Sequence, residues 1–284
     1  MIDFHTHPVM IKELVDSDPE LARAVRDVFG LYMPPQPLVT FLDEMTEAGV
    51  DRAVLLPLDC TTAHNCRIVS NEAVAELAAK HPRFIGFASV DPGARNAPKE
   101  LERAVRELGL CGLKLDPAIQ RFAIEDKDRA YPLYQLCSEL RIPLVMHCGL
   151  SWAPSGLARL ARPILLEEVA QAFPELRLVI AHWGWPWIDE ALMLALKYRN
   201  IYLDTSIVYS GMPVDTLQKV IADHIGCSIL EASLPNQVLF ATNYPRVDMR
   251  RMVRGIRALG LSPSTQEKLF EGNARLLLDR RVSG

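Results

Sequence analysis

The chain has no Cys-x-x-Cys pair, no basic tract, no long apolar run and no Gly-x-Gly-x-x-Gly after its first apolar segment. Each absence excludes something. Six cysteines (Cys60, Cys66, Cys111, Cys137, Cys148, Cys227) are scattered over 284 residues, which reads as reduced cytosolic thiols and not as a disulfide framework. A net charge of only −4 without a cationic cluster removes nucleic acid as an expected partner. A membrane span needs about 20 consecutive apolar residues, and none is present, so no membrane association is expected. The amino terminus lacks a cationic start and enters an apolar run at once, unlike a signal peptide. These readings predict a cytoplasmic protein with a small-molecule substrate. The missing glycine fingerprint argues against a doubly wound dinucleotide-binding sheet.

What is present is a substantial core, with 49% hydrophobic and 23% charged residues, as in soluble globular proteins. Short apolar or β-branched runs occupy 2–5, 53–56, 84–90, 112–115, 144–147, 178–181, 201–204 and 238–241. Amphipathic stretches lie between them, including 100–108, 130–140, 164–173, 187–198 and 249–259. Strands alternating with helices predict the α/β class and a (β/α)8 TIM barrel, as one domain over 1–284. The runs are nearly all apolar, as expected for parallel strands buried on both faces.

Two segments exceed the minimal barrel. Residues 11–37 form an excursion, with a helix expected over 19–29 capped by Asp18, then Pro34-Pro35-Gln36-Pro37. Residues 117–127 form the second. Both follow strands, so both are expected over the C-terminal face, where barrel active sites sit. The stretch 263–280 reads as a closing helix outside the repeat.

Polar residues gather at the predicted strand ends. His5 and His7 end the first strand, and positions i and i+2 of a strand share a face, so the pair can offer two imidazoles to one metal ion. Lys114 ends the fourth strand, His147 the fifth and Asp204 the seventh. His182 follows the sixth in Ala-His-Trp-Gly, and Asn243 follows the eighth in Phe-Ala-Thr-Asn-Tyr-Pro. His64, His81 and His224 fall in helical or loop contexts and read as surface residues. Cys148 follows His147 directly and should therefore face away from it.

Ile-Asp-Phe-His-Thr-His, Gly-Leu-Lys-Leu-Asp-Pro, Met-His-Cys-Gly, Ala-His-Trp-Gly, Phe-Ala-Thr-Asn-Tyr-Pro and Lys-Leu-Phe-Glu-Gly-Asn-Ala-Arg-Leu-Leu occur in this order. With them the chain resembles the amidohydrolase superfamily, specifically the amidohydrolase 2 branch that includes aminocarboxymuconate-semialdehyde decarboxylase. The resemblance implies a divalent metal (zinc, with manganese or iron as alternatives) on His5, His7 and His147, with His182 as acid/base. It allows a homodimer. Position 243 matches an aspartate that ligates the metal and exchanges a proton with its water; here it is asparagine. Lys114 matches a lysine that other branches carbamylate and that this branch leaves unmodified.

A carboxamide offers a neutral acceptor and cannot act as a base at neutral pH, so Asn243 should weaken metal binding and leave proton exchange to His182. Asp204 and Asp116 are the nearby carboxylates that could compensate. The leading expectation is a metal-dependent hydrolase of a small carboxylate-bearing or cyclic substrate, a lactone or amide. The alternatives are a non-oxidative decarboxylase, a metal-independent hydrolase, or a binding protein on a catalytically impaired scaffold. Lys114 reads either as a salt-bridge partner or as a ligand for a substrate carboxylate. Asp204 reads either as a backbone brace or as part of the chemistry. Arg121 and Arg246 either meet an anionic substrate or face solvent. Trp183, Trp185 and Trp187 either pack a helix or wall a substrate.

Overall fold

Eight short parallel strands carry the chain around a barrel in the computed structural model, which describes residues 1–207 and 212–279. They are β1 (Ile2–Thr6), β2 (Arg52–Leu55), β3 (Phe84–Gly86), β4 (Leu113–Leu115), β5 (Leu144–Met146), β6 (Leu178–Ile180), β7 (Ile201–Asp204) and β8 (Val238–Leu239). β1, β2 and β3 form one arc and β4 to β8 the other. Two seams join them. Ala88 bridges to Leu113, with Lys114 N–H donating to the Ala88 carbonyl at 2.8 Å. Phe4 N–H donates to Phe240 O and Asn243 N–H to His5 O, both at 2.9 Å. Closure leaves the sheet without an open edge.

Two apolar layers result. Ile2, Phe4, Val54, Phe87, Val145, Val179 and Leu239 fill the barrel interior, and Ala274 and Leu277 from the C-terminal segment join them. The larger layer lies between the strands and the surrounding helices. Local chemistry sets the helices. Asp18 caps Pro19–Asp27 by accepting from Glu20 N and Leu21 N, while Leu21, Ala24 and Val25 form its buried face. Gly49, at φ 72°, ends Leu38–Ala48 in the left-handed conformation that glycine adopts without steric cost.

The structure departs from the expected elements in several places, among them the eighth strand, which ends at Leu239. The third strand is Phe84–Gly86 and not 84–90, because beyond it the backbone makes only the single bridge at Ala88. A hairpin of Leu58–Cys60 and Cys66–Ile68 follows β2; its three-residue strands are too short for alternation to register. The closing segment is three pieces, Pro263–Glu267, a π-helical Lys268–Gly272 and Asn273–Leu278, and residue 280 lies outside the described residues. Among the described residues no helix is long and apolar enough to cross a membrane.

β1 contains the irregularity that matters most for the site. Asp3 pairs with Ala53 and Thr6 with Leu55, so Phe4 and His5 together oppose Val54. This is a β-bulge, a device that re-aims side chains. Phe4 points into the interior, and the extra residue lets His5, its neighbour, face the barrel mouth as well. The Asp3 carboxylate fixes the bulge by accepting from His5 N (3.1 Å), Thr242 N (3.0 Å) and Thr242 Oγ1 (2.6 Å).

Close backbone approach governs the opposite side of the mouth. Gly149 has φ 91°, and a Cβ there would fall on the Trp185 carbonyl oxygen, which already accepts from Leu150 N at 2.7 Å. Gly149→Ala should therefore destabilise the fold by about 3–5 kcal/mol. Urea unfolding measures this, and a loss below about 1 kcal/mol would show that the loops can separate without cost.

Candidate active site

Strand parity brings most of the polar residues to one mouth. His147 continues the inward parity of Val145, and Asn243 that of Leu239 and Ala241. His182 follows the inward-facing Ala181 and would point outward if β6 continued. Instead His182, Trp183 and Gly184 turn left-handed, with φ values of 61°, 49° and 62°. The turn sets the His182 ring 4.7 Å from that of His5 and 5.0 Å from that of His147. Asn243 is also left-handed at φ 61°, a conformation that asparagine tolerates better than most residues.

The proton positions on these rings follow from their partners. Asp204 accepts hydrogen bonds from His182 N (2.8 Å), Ser206 N (3.1 Å) and Ser206 Oγ (2.5 Å), and its Oδ2 lies 2.8 Å from His5 Nδ1. His7 Nδ1 lies 2.9 Å from the Leu56 carbonyl. Both partners accept, so each Nδ1 carries the proton and each Nε2 keeps a bare lone pair. His182 is set the same way, with Nδ1 2.8 Å from the Ser206 carbonyl.

The Nε2 atoms of His5 and His7 face each other at 3.1 Å. Neither can donate to the other, and two lone pairs at that distance repel unless a cation lies between them. Two nitrogens on one tetrahedral zinc, each at about 2.0–2.1 Å, stand about 3.3 Å apart. His147 Nε2 is buried without a hydrogen-bond partner. These residues fit a divalent cation held by His5 and His7, with His147 available from across the mouth. The expected trio is not gathered into one tight set, however. Among the described residues, the group whose ligand atoms lie within 4.8 Å of one another is His5, His182 and Asp204. In that group Asp204 is occupied by four hydrogen bonds and the facing Nδ1 atoms carry protons. It works as a brace that orients the ligand histidines from behind.

The cleft above these rings has a volume of about 580 Å³ counted to its open mouth. Lys114, Asp116 and Arg246 are its charged lining residues. Lys114 Nζ is buried and has no hydrogen-bond partner; burial pushes its ammonium pKa down, and Asp116 and Asp204 oppose the shift. Burial pushes the Asp116 carboxyl up against the pull of Lys114. Arg246 donates to the carbonyls of Phe29 (2.6 Å) and Gly30 (3.2 Å) and lies over the Phe29 ring at 4.7 Å. It thereby ties the 11–37 excursion down onto the cleft. Burial lowers its guanidinium to about 10, so it stays cationic at neutral pH.

Three residues expected as candidate substrate contacts, Arg121, Trp183 and Asp204, do not line the cleft. Arg121 ends the Pro117–Gln120 helix in a left-handed conformation and is exposed outside the cleft. Trp183 is fully buried in the outer apolar layer, because the left-handed turn sends its indole away from the mouth; Trp185 lines the cleft instead. Asp204 is buried behind the histidines and does not reach the cleft. His64 is half-buried, with Nε2 donating to the Ile119 carbonyl at 3.0 Å. Cys148 packs in the outer layer and faces away from the mouth, as its place next to His147 predicts. The loop after β5, which brings Ser151 and Trp152 to the rim, carries no periodicity and gave no signal; neither did Asp3.

Two predictions arise from this network. Asp204→Asn should release the His5 tautomer and lower divalent-metal affinity by about 10–100-fold. Metal titration checks the affinity and nitrogen NMR of His5 checks the tautomer; unchanged values in both would remove the brace. The second concerns pH. Burial holds His147 and His182 at about 3 and His5 and His7 well below the ordinary value. The unfolded chain, with histidines near 6.5, takes up protons that the folded chain refuses, so stability present above about pH 6.5 is lost as pH falls toward the folded values. Asp3, raised to about 7 by burial, and Asp116 act oppositely. Four histidines outweigh two carboxyls, so chelator-treated protein should unfold at lower urea at pH 5 than at pH 7.5. An equal or higher midpoint at pH 5 would contradict the neutral-histidine assignment.

A family model described as amidohydrolase matches residues 2–280. The 2-keto-4-carboxy-3-hexenedioate hydratase of a Sphingobium species is 28% identical over 336 aligned residues, covering 99% of this chain and 96% of that protein. The gamma-resorcylate decarboxylase of a Polaromonas species is 24% identical over 272 residues, 79% of each chain. A TIM-barrel protein from Bordetella bronchiseptica superposes with a TM-score of 0.78 at 24% identity, covering 99% of this chain and 98% of that one, which is a likeness of fold.

Proposed function

The chain belongs to the amidohydrolase family, and from that premise we propose that it is a lyase, a non-oxidative decarboxylase of a small carboxylate-bearing molecule. Hydrolysis was the first expectation, but the two curated relatives named above are a decarboxylase and a hydratase. The observation that carries the choice between these is Asn243. It lines the cleft where the resemblance expects the aspartate that deprotonates water, and an amide has no basic site for that work. Hydrolysis and hydration both need an activated water. Decarboxylation needs a held carboxylate and a proton delivered to carbon.

The cleft supplies both. Lys114, with a free buried ammonium beside neutral imidazoles, pairs with a substrate carboxylate, and Arg246 adds positive potential at the excursion side. Phe29, Trp152 and Trp185 provide apolar walls for the rest of the molecule. A divalent cation held by His5, His7 and His147 would supply charge that anchors a substrate oxygen and draws electron density from the carbon losing carbon dioxide. Asp116 is the acid that lines the cleft among the described residues, and burial favours its protonated form. It donates the proton that replaces carbon dioxide, so that R–COO⁻ and H⁺ become R–H and CO₂. His182, neutral with a bare Nε2, accepts a hydrogen bond from a substrate hydroxyl and orients it.

Carbon dioxide release from a panel of hydroxylated aromatic and unsaturated carboxylic acids tests this reading. A turned-over acid should lose about 10–100-fold in kcat/KM in Lys114→Met. It should lose about 10²–10⁴-fold in kcat with little change in KM in Asp116→Asn. Hydrated product without carbon dioxide would move the assignment to a hydratase.

A further inference from the structure

Cys60 and Cys66 stand apart from the other cysteines because the hairpin after β2 pairs them directly, Cα opposite Cα. Opposed residues of antiparallel strands lie about 4.5–5.5 Å apart with side chains on one face, inside the window of about 4.4–6.8 Å that a disulfide accepts. Both are thiols in this structure. Cys60 is buried, whereas half-buried Cys66 borders an open groove with Ser17, Asn65 and Arg67, within reach of a small reagent. Burial raises both thiols, and the Arg23 guanidinium works against this at Cys66.

This hairpin touches the cleft wall. Gln120 Nε2 donates to the Asp59 carbonyl at 2.7 Å, and His64, in the turn between the two cysteines, donates to Ile119 O at 3.0 Å. Gln120 Oε1 accepts from Asp116 N at 2.8 Å. Leu58, Asp116 and Ile119 line the cleft.

We propose that Cys60 and Cys66 are a reversible redox pair whose disulfide fixes the turn at 61–65 against the 116–120 wall of the cleft. The oxidant is a small-molecule disulfide. The Cys66 thiolate attacks one of its sulfurs and releases one thiol; the Cys60 thiolate then attacks the Cys66 sulfur and releases the second. The two protons lost by the cysteines leave on the two released thiols, and the protein is oxidised by two electrons.

The test treats the whole protein with hydroxyethyl disulfide under native conditions, followed by mass spectrometry, peptide mapping and amide exchange. The expected result is loss of two hydrogens, one linked peptide containing Cys60 and Cys66, and roughly fivefold slower exchange over 116–120, all reversed by dithiothreitol. Cys66→Ser should show neither the link nor the slowing. Two alkylatable thiols after treatment, or a hydroxyethyl adduct persisting on Cys66, would overturn the pairing. A link that leaves exchange at 116–120 unchanged would overturn the coupling to the cleft.

Discussion

Two residues of the first strand, Phe4 and His5, face the single residue Val54 of its neighbour, and the cleft depends on that mismatch. Without the bulge, the alternation of a strand would leave His5 and His7 on the face opposite to Phe4, outside the barrel. With it, Phe4 packs the interior while both imidazoles reach the mouth. The carboxylate of Asp3 holds the bulge against β8 through Thr242, so the same contact that re-aims the histidines also closes the barrel.

From that start the site is built by acceptors placed behind rings. Asp204 and the carbonyls of Leu56 and Ser206 each accept a hydrogen bond from a protonated Nδ1, which turns three lone pairs toward one region. Burial keeps the rings neutral, and the free ammonium of Lys114 adds charge beside them. The result is a cleft with neutral imidazole lone pairs on its floor and two cations and one carboxyl, Lys114, Arg246 and Asp116, in its wall. The proposed function rests on this balance: cations to pair with an anionic substrate, and imidazoles that burial makes weak bases for activating water. Asn243 fits the proposed decarboxylase reading, because an aspartate there would add a negative charge to the cleft in which the proposal seats a substrate carboxylate.

Much of this was legible in the sequence, for identifiable reasons. Eight apolar runs separated by helical periodicity predict a barrel because each strand is buried on both faces. The polar residues that end those runs predict the mouth because strand ends are where a barrel places its chemistry. His5, His7, Lys114, His147, His182 and Asn243 were found in this way. What was not legible depends on backbone geometry that no periodicity encodes. The bulge at Asp3 to Thr6 contradicts simple alternation, and a left-handed turn, not strand parity, brings His182 to the mouth and sends Trp183 away from it. Trp152 arrives from a loop without pattern, and the short hairpin that pairs Cys60 with Cys66 gives too few residues to announce itself. Arg121 takes the solvent-facing of its two readings, because it ends a single-turn helix in a left-handed conformation, which no periodicity encodes.

The measurement that tests the central claim most directly is divalent-metal content per chain by elemental analysis, on the native protein and on His7→Asn in parallel. The account predicts about one equivalent in the native protein and none in the variant, which keeps its fold but removes one of the two facing lone pairs. A native protein that takes up no zinc, manganese or iron at neutral pH would contradict it, as would a variant that retains the full equivalent.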